Sequence, residues 1–293
     1  MSELTGAIVS SLFLGTALGL MSLAFTIIYT VSRVFNFAVG QFMILAALLT
    51  TAVRFTGSAA SNDLIAIALV AAMGSATYLV ALRWPETHGA QPLTLVIITF
   101  GVGIIVEQAA ILAWGSYPLS EAPVVSGHFL LEGNFVPYQG LLLIAVAAVT
   151  VGVLGIVQRR TVVGKQLLAL GSNRATARYF GINDLVLVSI AWGISFAVLA
   201  IAGTLYLPLT GVSITTDLSY GVAAFAAAII GGLGNPGGAL VGGLIVAFAT
   251  NLMGVYINPN ITDVLTFGLL FVFLVFRPSG LTGHAVDLIG PRA

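Results

Sequence analysis

From Leu4 to Ser32 the chain carries no charged residue, and Glu3 is the only charge before Arg33. An α-helix needs about 20 apolar residues to cross the roughly 30 Å of bilayer hydrocarbon, so this run is long enough to span. It has no basic leader and is longer than the apolar core of a secretory signal, so it is expected to remain as a transmembrane helix.

The same pattern recurs along the chain. Apolar runs broken by polar residues fall at 6–31, 38–55, 63–83, 93–115, 139–157, 184–207, 218–231, 239–257 and 263–277, which predicts about eight or nine crossings. The runs at 38–55, 218–231 and 263–277 are short, and are expected to be tilted, broken or half-length helices. With 59% hydrophobic and 7% charged residues, the chain lacks the charged surface of a soluble domain. The fold class expected is an all-α polytopic membrane protein, with residues 1–293 forming a single transmembrane domain. Zero formal net charge suggests no nucleic-acid partner, and the absence of cysteine excludes disulfides and thiolate metal sites.

Basic residues give an orientation. With nine crossings and the N-terminus outside, the inner segments carry Arg33, Arg83, Arg159, Arg160, Lys165, Arg174, Arg178, Arg277 and Arg292, and only Arg54 lies outside. Cytoplasmic loops are enriched in Lys and Arg, so the C-terminus is placed in the cytoplasm. The loop 116–139, with Glu121 and Glu132 and no Lys or Arg, is then external.

Half of the ten basic residues lie in one stretch, Gln158 to Asp184, the part most clearly built to meet something in water. Within it Ser172 is a predicted N-cap, 173–180 a two-turn helix and Gly181 its stop. Arg174 and Arg178, four apart, are expected to share a face and repel by roughly 0.2–0.5 kcal/mol. A helix this short needs a membrane surface or a protein groove to be stable. Spacing alone leaves open an ordinary interfacial loop.

Three elements carry a resemblance. The first is Gly164-Lys165, Ala169, Asn173, Ala177 and Gly181-Ile182, leading into a helix that ends Ala202-Gly203-Thr204-Leu205-Tyr206. The second is Asn36-Phe37-Ala38-Val39-Gly40-Gln41. The third is the Gly/Pro-rich run Gly231-Gly232-Leu233-Gly234-Asn235-Pro236-Gly237-Gly238, followed by Gly242-Gly243. Together they resemble the LivH-type permeases, membrane subunits of ATP-binding-cassette importers for branched-chain amino acids and related solutes. Leu168 and Val39 stand where that family often has Arg and His. The resemblance implies that 158–183 is a cytoplasmic coupling loop, with Gly164, Lys165, Asn173, Arg174, Ala177, Arg178 and Gly181 engaging an ATP-binding subunit. It also implies the partners: a homologous permease, by expectation a heterodimer, two ATP-binding subunits and an extracytoplasmic solute-binding protein, all at a bacterial inner membrane.

Read from the residues, Asn36, Gly40 and Gln41 in one half and Asn235 in the other interrupt apolar runs, as a midplane binding or gating site requires. An ordinary turn is the alternative, above all for 231–238. Glu107 is the one acid well inside a span, and its cost in lipid requires it to face protein or water. Asn251 is a milder intramembrane polar residue. Gly15 and Gly19, and Gly234, Gly238 and Gly242, recur every four residues, a spacing that suits close helix packing.

Several chemistries are missing. No G-x-x-x-x-G-K-[ST] occurs, since Arg159 stands where the first Gly would be and Gln166 follows Lys165. ATP and Mg are therefore expected on partner subunits, with no cofactor on this chain and no enzymatic activity. His88, His128 and His284 lack ligand spacing, so no metal site is expected. The competing reading is a stand-alone channel or facilitator for a small solute such as urea or an amide, which leaves the basic stretch without a partner.

Overall fold

The computed structural model describes residues 2–52, 58–115, 123–211, 217–256, 262–277 and 280–282. Arg54, Glu121, His284 and Arg292 lie outside them. The helices are α1 (Ser2–Ser32), α2 (Val39–Ala52), α3 (Ala59–Thr77), α4 (Arg83–Thr87), α5 (Pro92–Trp114), α6 (Tyr138–Arg160), α7 (Val162–Ser172), α8 (Arg174–Tyr179), α9 (Asp184–Thr210), α10 (Asp217–Gly231), α11 (Pro236–Tyr256) and α12 (Thr262–Phe276). A π-helical turn, Tyr78–Leu82, joins α3 to α4.

All nine apolar runs are helical, and six of the resulting helices are long and apolar enough to cross a bilayer. The three shorter ones are Val39–Ala52, Ser219–Gly231 and Val264–Phe276, the segments whose length flagged them. The chain is thus an α-helical polytopic membrane protein. One departure from all-α is a hairpin inside the expected loop 116–139, β1 (His128–Leu131) paired antiparallel with β2 (Asn134–Pro137). Its two-residue turn, Glu132-Gly133, has positive φ at both positions, the geometry that suits the twist of two paired strands.

Helix α1 is the axis of the bundle, with 83% of its most apolar window buried. Its main neighbours are α11, α9 and α10, and α2 packs on α9. Lipid tails are as apolar as leucine, so close backbone packing rather than water exclusion holds such helices together. The glycines provide it. A Cβ at Gly243 of α11 would strike the backbone of Gly15 and Gly19 in α1, one at Gly242 would strike Ala227 in α10, and one at Gly203 of α9 would strike Met43 in α2. The packing role expected of Gly15, Gly19, Gly238 and Gly242 is what the backbone uses. Gly234, at φ 97°, is instead a turn residue.

One end of the bundle gathers the basic residues. Arg33, just after α1, donates from Nη2 and Nε to the Gly171 carbonyl of α7, at 2.9 and 3.2 Å. Arg174 of α8 pairs with Glu86 of α4, and Arg178 with Asp184 at the start of α9. Gln158 donates to the Gly234 carbonyl at 3.4 Å. The opposite end is closed by the hairpin, where Thr5 donates to Glu132 at 2.6 Å, and by buried Gln139, which donates to the Leu205 carbonyl at 3.2 Å.

Candidate functional site

The stretch 158–183 is more ordered than expected from its polar composition. Only a short helix at 173–180 was anticipated, yet an eleven-residue helix, α7, precedes it. Thr161 caps α7, its hydroxyl accepting from the Gly164 amide at 3.1 Å. Asn173, not Ser172, caps α8, its Oδ1 accepting from the Thr176 amide at 3.0 Å. Ser172 is the last residue of α7, because Asn173 is the residue that turns extended (φ −154°, ψ 105°) and so can reach back to the helix start. Gly181 ends the unit at φ 76°, its amide donating to the Arg178 carbonyl at 2.9 Å. Gly164 lets α7 fold tightly against the end of α6, since a Cβ there would strike the Val157 carbonyl.

The two arginines of α8 do different work. Arg174 turns inward to Glu86, and its Nη2 lies 3.3 Å from the hydroxyl of Tyr78. Tyr78 donates in turn to Glu86 at 2.8 Å. Burial pulls the Arg174 pKa down, and the Glu86 hydrogen bond and charge more than restore it, so the guanidinium stays charged. Arg178 points outward, with 56% of its side chain exposed, and pairs with Asp184, which also lies 3.6 Å from Arg174 Nε. The shared Asp184 carboxylate offsets the repulsion expected between the two arginines. These groups line a polar cleft with Arg83, Thr87 and Leu185.

Beyond Arg178 the tip is aromatic and bare. Tyr179 is 91% and Phe180 82% exposed. Lys165 and Asn173 are also exposed, whereas Gly164 and Ala177 are buried contacts within the unit. Glu86, Tyr78, Asp184, Tyr179 and Phe180 were not singled out from sequence. The one available signal was charge: Glu86 lies three residues after Arg83, and Asp184 follows Arg178 by six residues.

The second cluster is deep in the bundle. After Ser32 the backbone leaves α1 and runs back along it. Phe35 stacks on Tyr29 at 4.7 Å, and Phe37 meets Phe25 at 6.4 Å, so the later residue lies against the earlier turn. Phe225 of α10 packs on Phe25, Phe35 and Phe37 at 5.9, 5.3 and 5.4 Å. Thr99 of α5, fully buried, accepts from the Phe37 amide at 3.2 Å and donates to the Phe35 carbonyl at 3.3 Å. The chain therefore starts α2 inside the protein. At 14 residues, about 21 Å at 1.5 Å per residue, α2 is a half-length helix whose N-terminus faces the interior.

Asn36, Gly40 and Gln41 come together at that N-terminus. Asn36 Oδ1 accepts from the Ala38 amide at 3.0 Å, and the Gln41 carboxamide lies against Gly103 of α5. Glu107 is one turn further along the same face of α5 as Gly103. The other two polar residues singled out from sequence lie elsewhere. Asn235 caps α11 at the basic end, accepting from the Gly237 amide at 3.1 Å, and Asn251 bridges α11 to α1 by donating to Ser10 at 3.4 Å.

Comparison with known proteins agrees with this architecture. The family described as branched-chain amino acid transport system / permease component matches residues 7–274. The high-affinity branched-chain amino acid transport system permease protein BraD of Pseudomonas aeruginosa is 26% identical, over 94% of this chain and 95% of its own length. The permease proteins LivH of Escherichia coli K12 and of Salmonella typhimurium are 28% and 27% identical, each pairing covering 92% of both chains. No solved structure matches. A match over most of the chain, on a bundle of apolar helices with a re-entrant turn and a polar two-helix cap, shows that this multi-pass membrane protein belongs to the branched-chain amino acid transport permease family.

Proposed function

We propose that the chain is the transmembrane permease subunit of an ATP-binding-cassette importer that moves branched-chain amino acids across the inner membrane. In this reading its N-terminus lies outside and its basic end faces the cytoplasm. It pairs with a homologous permease, two ATP-binding subunits that hold ATP and Mg, and an extracytoplasmic solute-binding protein. The observation that carries the reading is the α7–α8 unit. It presents Arg178, Tyr179 and Phe180 to solvent while being tied from behind to α4, to α9 and to Arg33 just after α1. Adjacent exposed aromatics next to an arginine are the composition of a protein contact. A stand-alone facilitator gives this tip nothing to hold.

The links suggest how ATP-driven motion reaches the solute. Force on α8 passes through Arg174–Glu86 to α4 and the π turn, and through Arg178–Asp184 to α9. From α9 it reaches α2, which is locked to it where Gly203 meets Met43. The α9 route ends at Met43, two residues beyond the interior turn at Asn36–Gln41, the proposed solute path.

The test is a mild-detergent pull-down of the tagged chain, followed by reconstitution of what it recovers. Co-recovery of a P-loop ATPase and a second permease, with ATP-dependent leucine uptake, is the expected result. A partner-free oligomer that conducts without ATP would overturn the reading.

A further inference from the structure

The first turn of α2 gathers unpaired polar groups of both kinds, donors and an acceptor. Residues at a helix start have amides with no partner inside the helix, and here the first intrahelical acceptor, the Ala38 carbonyl, is taken by Phe42. The amides of Val39, Gly40 and Gln41 thus point to the positive end of the α2 dipole, which favours an anion.

Two side chains add an independent observation. Asn36 is 1% exposed and its carboxamide is bonded to the start of α2, yet its Nδ2 has no hydrogen-bond partner. Gln41 is 7% exposed and its Oε1 has none. A buried polar group left unmade costs about 1–3 kcal/mol, a cost that a ligand bonded in this turn would offset. One is a donor and one an acceptor.

One side of the turn is loosely packed. Gly221 of α10 is buried, yet a Cβ there would meet only the Gly40 amide nitrogen, at 3.8 Å. Three glycines from three helices, Gly40, Gly103 and Gly221, converge on the turn. Glu107 lies one turn along α5 from Gly103.

We infer that this turn is the headgroup cradle for an α-amino acid in transit. The α2 amides and Asn36 Nδ2 take the carboxylate, and Gln41 Oε1 takes the ammonium group. The inference rests on the proposed function above, in which Asn36, Gly40 and Gln41 line the path of an amino acid. The cradle is closed in this conformation, and separation of α10 from α2 at Gly221 and Gly40 opens it.

The experiment measures initial uptake of radiolabelled L-leucine per assembled importer in proteoliposomes. Asn36→Asp keeps an oxygen to cap Ala38 and replaces the donor by an anionic oxygen, so uptake should fall at least tenfold. Gln41→Leu keeps the bulk and removes the acceptor, so uptake should fall at least tenfold. Gly221→Met fills the space beside Gly40 and should block uptake. If Asn36→Asp fails to assemble, Asn36→Ser, which retains a cap and lacks the amide donor, carries the same expectation. Near-wild-type uptake by the Asn36 or the Gln41 variant, with Gly221→Met blocking, overturns the headgroup assignment and leaves the path standing. Normal uptake by Gly221→Met overturns both. A wild-type importer that takes up no leucine overturns the solute class and the cradle with it.

Discussion

Arg174 of α8 and Glu86 of α4 form an ion pair across 88 positions of sequence. The pair joins the exposed two-helix cap to the one π-helical turn found among the described residues, which begins at Tyr78, itself bonded to Glu86. Such turns frequently mark functional sites in helices, and here the turn lies where a lever would attach.

The first prediction concerns that lever. Glu86→Gln removes a charge-assisted hydrogen bond, a loss of about 1.5–3 kcal/mol when shielded and less here because both side chains keep some exposure. Leucine uptake by the assembled importer should fall about five- to tenfold, a loss of about 1–1.4 kcal/mol in coupling, with the ATPase still co-purifying. The double variant Glu86→Gln, Arg174→Gln should be little worse than either single one, because the two residues serve one link. Additive losses would show that they act separately.

The second concerns the aromatic tip. If Tyr179 and Phe180 are interface anchors, each substitution by Ala should weaken ATPase association by about 2 kcal/mol, roughly 30-fold. Lys165→Ala, at an exposed basic position on α7, should cost no more than threefold, because isolated surface charges contribute little. Affinity measured with purified permease in detergent micelles separates the two. Unchanged binding of the Tyr179 and Phe180 variants would remove the tip from the interface.

The third concerns the axis of the bundle. Gly243→Val places branched carbons against the backbone of Gly15 and Gly19, and overpacking of this kind costs about 1–3 kcal/mol or more. Gly101→Ala on α5, where a Cβ meets nothing within 4 Å, should change stability by less than about 0.5 kcal/mol. Thermal aggregation midpoints in detergent should drop for the first and hold for the second.

The fourth concerns Arg33, which stands at φ 55°, a left-handed conformation costing a non-glycine residue about 1–2 kcal/mol. Its guanidinium bonds to Gly171 and lies 5.5 Å from the Tyr29 ring. Arg33→Ala loses those contacts and keeps the strain, whereas Arg33→Gly loses them and relieves it. The order of stability should be Arg, then Gly, then Ala, with about 1 kcal/mol between the last two. Ala equal to Gly would mean that the strain is absorbed elsewhere.

How much of this was legible in the sequence varied with the range of the interaction. The nine helices, the three short ones and the Gly181 stop followed from apolar runs and local backbone preference. Helix α7 escaped because it is amphipathic and lies on the cap, so no run of apolar residues marks it. Asn36, Gly40 and Gln41 were found as polar breaks, but their burial at an interior helix start depends on Phe225 and Thr99, far away in the chain. Asn235 and Asn251 look like Asn36 in sequence. They differ in burial: Asn36 is buried with its Nδ2 unpaired, whereas Asn235 and Asn251 are part-exposed, at a helix cap and against Ser10 of α1.

The sequence alone determined that this chain lives in a bilayer, where its nine apolar helices lie, and where its basic residues cluster. Those properties arise from transfer energies and turn chemistry that act within a few residues. The tertiary structure decided that α2 starts inside the protein, that Arg174 faces inward while Arg178 faces out, and that two unpaired amide atoms share one buried turn. Each of these depends on which helices touch, and close packing between glycines far apart in the chain sets those contacts.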